Sequence, residues 1–184
     1  MSEEMILRHC APTLAKLKTG NMFSCAFDDG EELKNQLRRI NKVLVKKGLR
    51  VLPLRWRDGR VLIYVYRPSH LRRDLENSTA QSILDQRGYG RCRSAEQCVV
   101  HLIKRIGESE DFPHEIGLFL GYPLEDVCGF IENKACNCKC TGCWKVYGDE
   151  KSAQKLFEKY KKCTDIYCSR WAEGGSFERL AVAG

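Results

Sequence analysis

The chain has 184 residues, long enough for one domain with a real core, residues 1–184, and its formal net charge is +7. No apolar run approaches the roughly 20 residues of a membrane span, and the acidic start at Glu3 and Glu4 leads into no long apolar stretch, which argues against a secretory signal there. A cytoplasmic setting follows as the expectation. Eleven cysteines are then reduced thiols, an odd number that suits no complete disulfide framework.

In chain order, a short helix is predicted over 11–18 and a strand over 21–27. The clearest helix covers 31–47, with Leu33, Leu37, Ile40 and Leu44 as one apolar stripe and Gly48 where a C-terminal cap belongs. A hairpin follows, strands 49–56 and 60–66, turned at Asp58-Gly59. Pro53 marks the first of these as an edge strand or the site of a bulge. Helices are predicted over 69–77, 79–85 and 94–106, then 111–120 and 124–133. A short strand at 144–147 precedes a helix capped by Asp149 and running to Cys163, and 176–182 reads as a last strand. The fold class is α+β, a single domain: a small mixed or antiparallel sheet of four to five strands around the central hairpin, covered by several helices. Residues 76–93 are the loosest segment, and 134–184 form a cysteine-rich C-terminal part on the same core.

Charge is uneven. Between Glu31 and Arg73 stand thirteen Lys and Arg against three acids, a local balance of +10 that leaves −3 for the rest. Such a block binds nucleic acid, an anionic small molecule or an acidic partner, or is merely a solvated face. The stretch 116–131 has the apolar spacing of a helix-turn-helix around Gly121, but its second helix offers Glu125, Asp126 and Glu132 and no Lys or Arg before Lys134. Phosphates repel acids and base edges are read mostly by Arg, Lys, Asn and Gln, so DNA reading does not fit.

Six cysteines lie from Cys136 onward. Cys140-Thr-Gly-Cys143 is a tight C-x-x-C, and Cys163 with Cys168 would complete four thiolates for zinc or an iron–sulfur cluster. Cys136 and Cys138 are surplus to that set. A redox-active dithiol and inert reduced thiols are the other readings. At the other end, His9 and Cys10 precede Pro12 at the opening of the predicted helix, where a macrodipole would favour thiolate. His114, after Pro113 at a second predicted helix start, is the partner better placed to act as base. Both histidines equally suit a role in satisfying nearby backbone.

Three blocks carry a resemblance: His9-Cys-Ala-Pro-Thr-Leu14 with Lys18 and Asn21, Phe112 to Pro123, and Trp144-Lys-Val-Tyr-Gly148. They resemble the bacterial domain of unknown function numbered 3793, mostly from clostridial anaerobes, nearly end to end. The resemblance implies a cytosolic protein of anaerobes with no established activity, a setting suited to oxygen-sensitive thiolate chemistry. It singles out His9, Cys10, Lys18, His114, Glu115, Tyr122, Lys145 and Tyr147, and the dense cysteine run departs from its pattern.

Three function classes follow. The first is a metal, iron–sulfur or redox centre on Cys140, Cys143, Cys163 and Cys168, with a redox protein as partner. The second is a thiol enzyme with Cys10 as nucleophile and His114 as base. In that reading Lys18 or Lys145 holds an anionic substrate, and Glu115, Tyr122 and Tyr147 complete the substrate-binding set. The third, a nucleic-acid module on the basic block, is the least favoured.

Overall fold

A computed structural model describes residues 1–108 and 112–184. The chain divides into two compact units, Met1–His70 with Lys162–Gly184, and Leu71–Lys161.

The first unit begins with α1, Glu3–Leu14. Ser2 caps it, its side chain accepting from the Met5 amide, and Glu3 and Glu4 occupy the acid-favouring first turn. These signals start the helix eight residues before the expected 11–18, and Pro12 lies inside it rather than opening it. Strand β1 is Gly20–Ala26, and α2 is Gly30–Leu44, capped by the Asp29 carboxylate on the Glu31 and Glu32 amides. A 3-10 turn, Val45–Lys47, ends at Gly48 with φ 71°, the left-handed cap that its position foretold. Strands β2 (Arg50–Arg57) and β3 (Arg60–Tyr66) form the hairpin. Asp58 and Gly59 both have positive φ, 49° and 68°, which matches the right-handed twist of the strands.

The sheet is antiparallel with order β1-β3-β2, so β2 is an edge, and its register shifts between Pro53 and Arg55. Both readings of Pro53 therefore hold. Asn41 of α2 closes part of that edge, donating to the Val51 carbonyl at 2.7 Å and accepting from its amide at 3.0 Å. Alternation puts Val61, Ile63 and Val65 on one face, where they meet Ile6, Leu7 and Leu14 of α1 and the Leu33, Leu37, Ile40, Leu44 stripe of α2. Phe177 and Leu180 join this core from α9, Phe177–Leu180. That helix corrects the expected strand over 176–182: Ser176 caps it, accepting from the Arg179 amide.

The second unit is mainly helical. It holds α4 (Ser78–Gln86), α5 (Ala95–Glu108), α6 (Ile116–Leu120) and α7 (Leu124–Glu132), with a small ribbon of β4 (Cys140–Thr141) and β5 (Lys145–Val146). The unit divisions fall inside α3, Pro68–Leu75, and α8, Glu150–Ala172. The α+β class stands, but the expected sheet of four to five strands is a three-stranded sheet and a separate two-stranded one. The expected helix over 111–120 begins at a residue outside those described; its described part is a turn at Pro113–Glu115 followed by the five residues of α6. Among the described residues no helix is long and apolar enough to cross a membrane.

Candidate functional site

The second unit contains an apolar cleft of about 250 Å³ built from three stretches of sequence. The turn before α6 brings His114, α7 brings Val127 and Phe130, and the ribbon brings Trp144 and Lys145. Tyr122 enters from the link between α6 and α7, where Gly121 (φ 69°) ends one helix and Pro123 starts the next. Two glycines permit the close packing behind it. A Cβ on Gly117 would lie 2.8 Å from Val127 Cγ2, and one on Gly129 would overlap the Tyr147 side chain.

Asp126 organises the floor. Its carboxylate is 3% exposed and accepts from Trp144 Nε1 at 2.6 Å, Tyr147 N at 2.7 Å and Gly148 N at 2.8 Å. Charge-assisted bonds of this kind are the strong ones, and these fix the indole. Trp144 then stacks on Tyr122 at 4.7 Å between centroids and meets Phe157 edge-on at 4.6 Å. The Tyr122 hydroxyl donates to the Cys143 carbonyl at 3.3 Å, and Lys145 Nζ to the Ala135 carbonyl at 2.6 Å. Burial first, then Cys143 and Tyr160, pushes the Tyr122 phenol up to about 12, so it stays neutral. The imidazole of His114 stands edge-on to Phe130 at 5.1 Å and, among the described residues, takes part in no hydrogen bond. Thr141, exposed, marks the mouth with half-buried His114 and Tyr122.

His114, Tyr122 and Lys145 thus meet at one cleft. Tyr147 gives its amide to the Asp126 carboxylate below it. Glu115, adjacent in sequence, is fully buried and serves structure: Tyr89 Oη donates to its Oε1 at 3.0 Å, and Arg105 Nε lies 2.8 Å from the same oxygen. That second contact is ionic but poorly aligned, leaving Arg105 Nε and Glu115 Oε2 without a hydrogen-bond partner. Cys10 and Lys18 belong to the first unit. Sequence reasoning missed Asp126, Phe130 and Val127 and passed over Trp144. The acidity of α7 was visible, but it told only against DNA; Asp126 is spent inward on the ribbon.

Cys10 departs from the nucleophile expectation. It lies in the second half of α1 and not before a helix start, so no N-terminal dipole acts on it. It is fully buried in the core, and burial pushes its thiol far above the ordinary range, only partly offset by Lys18. For His114, the short α6 supplies little macrodipole.

The four-thiolate set meets a simple geometric obstacle. Helix α8 runs on to Ala172, past its expected end at Cys163, so Cys163 and Cys168 both sit on it five residues apart. At 3.6 residues per turn they point about 140° apart. Cys163 is buried and Cys168 half-buried. Cys140 lies in β4; local burial and then the charge of Glu150 raise its thiol. Cys143 is exposed. Among the described residues no three His, Cys, Asp or Glu side chains come together as a metal group. These residues do not fit zinc or an iron–sulfur cluster.

The basic block loses Arg67 to the interior. This residue is fully buried and donates to four carbonyls, those of Thr13 (2.8 Å), Leu14 (2.7 Å), Val182 (2.7 Å) and Lys47 (3.3 Å). Lys34 pairs with Glu31, and Arg57 with Asp58, at the surface.

The model of the family described as "Protein of unknown function (DUF3793)" matches residues 6–181, nearly the whole chain, and the chain belongs to that family. No curated protein and no solved structure matches it.

Proposed function

We propose that this member of the DUF3793 family binds a small, flat, aromatic molecule in the cleft of its second unit. One observation carries the reading. The polar groups around the cleft, Asp126, Tyr122 and Lys145, are committed to protein partners, so the space between them is left to apolar contact with aromatic walls. A cavity of ~150 Å³ takes a benzene ring, so about 250 Å³ has room for one ring with a substituent or two fused rings. Aromatic walls favour a planar guest through stacked and edge-on contacts. His114 at the mouth is the group left to hydrogen-bond a substituent on that ring, as donor or acceptor.

The thiol-enzyme reading loses its support at Cys10, whose buried thiol is held in the protonated form. The metal reading loses its support with the divergent cysteines of α8. Phenol and toluene, similar in size and differing in one hydroxyl, test the cleft by NMR chemical-shift titration. Both should bind, phenol more tightly, and His114→Ala should abolish that preference. Ile116→Trp, which fills the cleft from its half-buried wall, should weaken both by at least about tenfold, or 1.4 kcal/mol. Absence of binding at millimolar probe, or binding untouched by Ile116→Trp, would overturn the reading.

A further inference from the structure

A second feature of the Leu71–Lys161 unit is independent of the cleft. Cys92 lies in the link between α4 and α5, half-buried, its amide donating to the Tyr89 carbonyl at 2.7 Å. Cys98 lies in the early part of α5 and is 7% exposed. The Cys92 thiol is a neighbour that helps raise the Cys98 thiol. Both line one cavity of about 310 Å³, together with Arg72, Arg93, Glu76 and Asp85.

That combination sets the pair apart. Cys10 and Cys25 are buried in the apolar core of the first unit. Cys163 and Cys168 diverge on one helix, and Cys136 and Cys143 are exposed. At Cys92 and Cys98, by contrast, two cysteines line the wall of one space large enough for a reagent. One sulfur is accessible and the other sheltered. A disulfide needs its sulfurs at about 2.05 Å, so closing the bond asks for a movement of one sulfur toward the other. The irregular link carrying Cys92 can supply it, since only Cys98 is held on a helix.

We propose that Cys92 and Cys98 are a redox-active dithiol that exchanges with a zwitterionic, amino-acid-derived disulfide docked in this cavity. The two guanidiniums and two carboxylates of the lining match the paired charges of such a molecule. Cys92, as thiolate, attacks one sulfur of the disulfide and expels the first small thiolate, leaving a mixed disulfide on Cys92. Cys98 then gives up its proton and attacks the Cys92 sulfur, expelling the second small thiolate. The protein dithiol is oxidised by two electrons, the docked disulfide is reduced to two thiols, and the two cysteine protons end on them. Exposure sets this order. Burial first, and then the neighbouring Cys92, raises the Cys98 thiol to about 12, which makes it a poor first nucleophile. Once Cys92 is in the mixed disulfide, the second of those causes is gone and the attack is intramolecular.

The test uses the full-length reduced protein, glutathione disulfide as probe, acid quenching, alkylation and peptide mapping by mass spectrometry. The expected first product is a peptide pair joined through Cys92 and Cys98, two hydrogens lighter, forming at least about tenfold faster than oxidation at any other of the eleven cysteines. Cys98→Ser should trap the glutathione adduct on Cys92, and Cys92→Ser should leave Cys98 unmodified. Hydroxyethyl disulfide, which is uncharged, should react about tenfold more slowly than glutathione disulfide. Mapping of the unmutated protein decides the matter even where a variant folds poorly. A Cys92–Cys98 bond that forms no sooner than other modifications would overturn the dithiol. Equal rates with the two probes would overturn recognition by the charged lining.

Discussion

Arg67 in the first unit and Asp126 in the second are both buried ionisable side chains, and they bury their charge in opposite services. Arg67 is a positive group surrounded by carbonyls from α1, the 3-10 turn and the chain near its C-terminal end; its side-chain hydrogen bonds tie these three backbone segments together. Asp126 is a negative group that collects two backbone amides and one indole, and the indole it fixes is a wall of the cleft. One saturates the interior of a packed unit, whereas the other holds open a space beside itself. Buried charge alone therefore does not mark a functional site. What marks it is unfilled volume next to a fully satisfied anchor.

The comparison is sharpest under mutation. Arg67→Met should give the largest loss of stability, at least about 3 kcal/mol by urea denaturation, because four hydrogen bonds from one charged donor are lost together and each such bond contributes roughly 1.5–3 kcal/mol, even though the Thr13, Leu14 and Lys47 carbonyls each keep a backbone donor. Binding of toluene in the other unit's cleft should persist in whatever fraction remains folded. A loss below about 1 kcal/mol would mean the carbonyls find water, and the contrast would fail.

Asp126→Ala ranks second. Losing a charged acceptor from three donors should cost about 2–4 kcal/mol, since bonds to charged groups contribute roughly 1.5–3 kcal/mol. Here stability and probe binding should fall together, because the indole loses its fixed orientation. Asp126→Asn is the informative variant. Its Oδ1 can still accept from the Tyr147 and Gly148 amides, while its Nδ2–H₂ faces the Trp144 N–H, donor against donor. The expected result is a smaller stability loss than for Ala with toluene binding still weakened. Full binding in Asp126→Asn would show that the indole does not depend on this anchor.

Much of the first unit was legible in the sequence, because its signals are local. The apolar stripe of α2, the Asp58-Gly59 turn and Pro53 each act within a few residues, and each lies where its chemistry put it. Errors came where two local signals competed. Pro12 reads as a helix opener, but Ser2 with Glu3 and Glu4 opens the helix earlier, and that shift moved Cys10 from a helix start into the core. Ser176 likewise outweighed a weakly β-prone run and made α9. In the second unit His114 was singled out by Pro113 at a predicted helix start, and Tyr122 and Lys145 through family resemblance, while their convergence was not readable. It depends on the pairing of Asp126 with Trp144 across eighteen residues, and no local period encodes that. The metal expectation lost its support for a related reason: sequence spacing does not reveal that one helix carries both Cys163 and Cys168.

The smallest effect concerns the aromatic wall of the second unit in alkali. Tyr122 and Tyr160 both lie in the second unit, and burial, followed by nearby groups including Cys143, lifts each phenol from its ordinary value near 10 up to about 12. A group whose folded pKa is raised keeps its proton longer in the folded chain than in the unfolded one. Its contribution to stability is then complete below about pH 10 and drains away as pH rises toward 12. Tyrosinate absorbance should accordingly lag for these two phenols and appear together with loss of the near-ultraviolet signal of Trp144. Tyr122→Phe removes one titrating group while keeping its stack on Trp144, so stability of this variant should fall less steeply between pH 10 and 12 than that of the parent. An unchanged slope would place the Tyr122 hydroxyl in contact with water. The stack on Trp144 would then be a surface lid, and the closed aromatic wall on which the cleft reading rests would be gone.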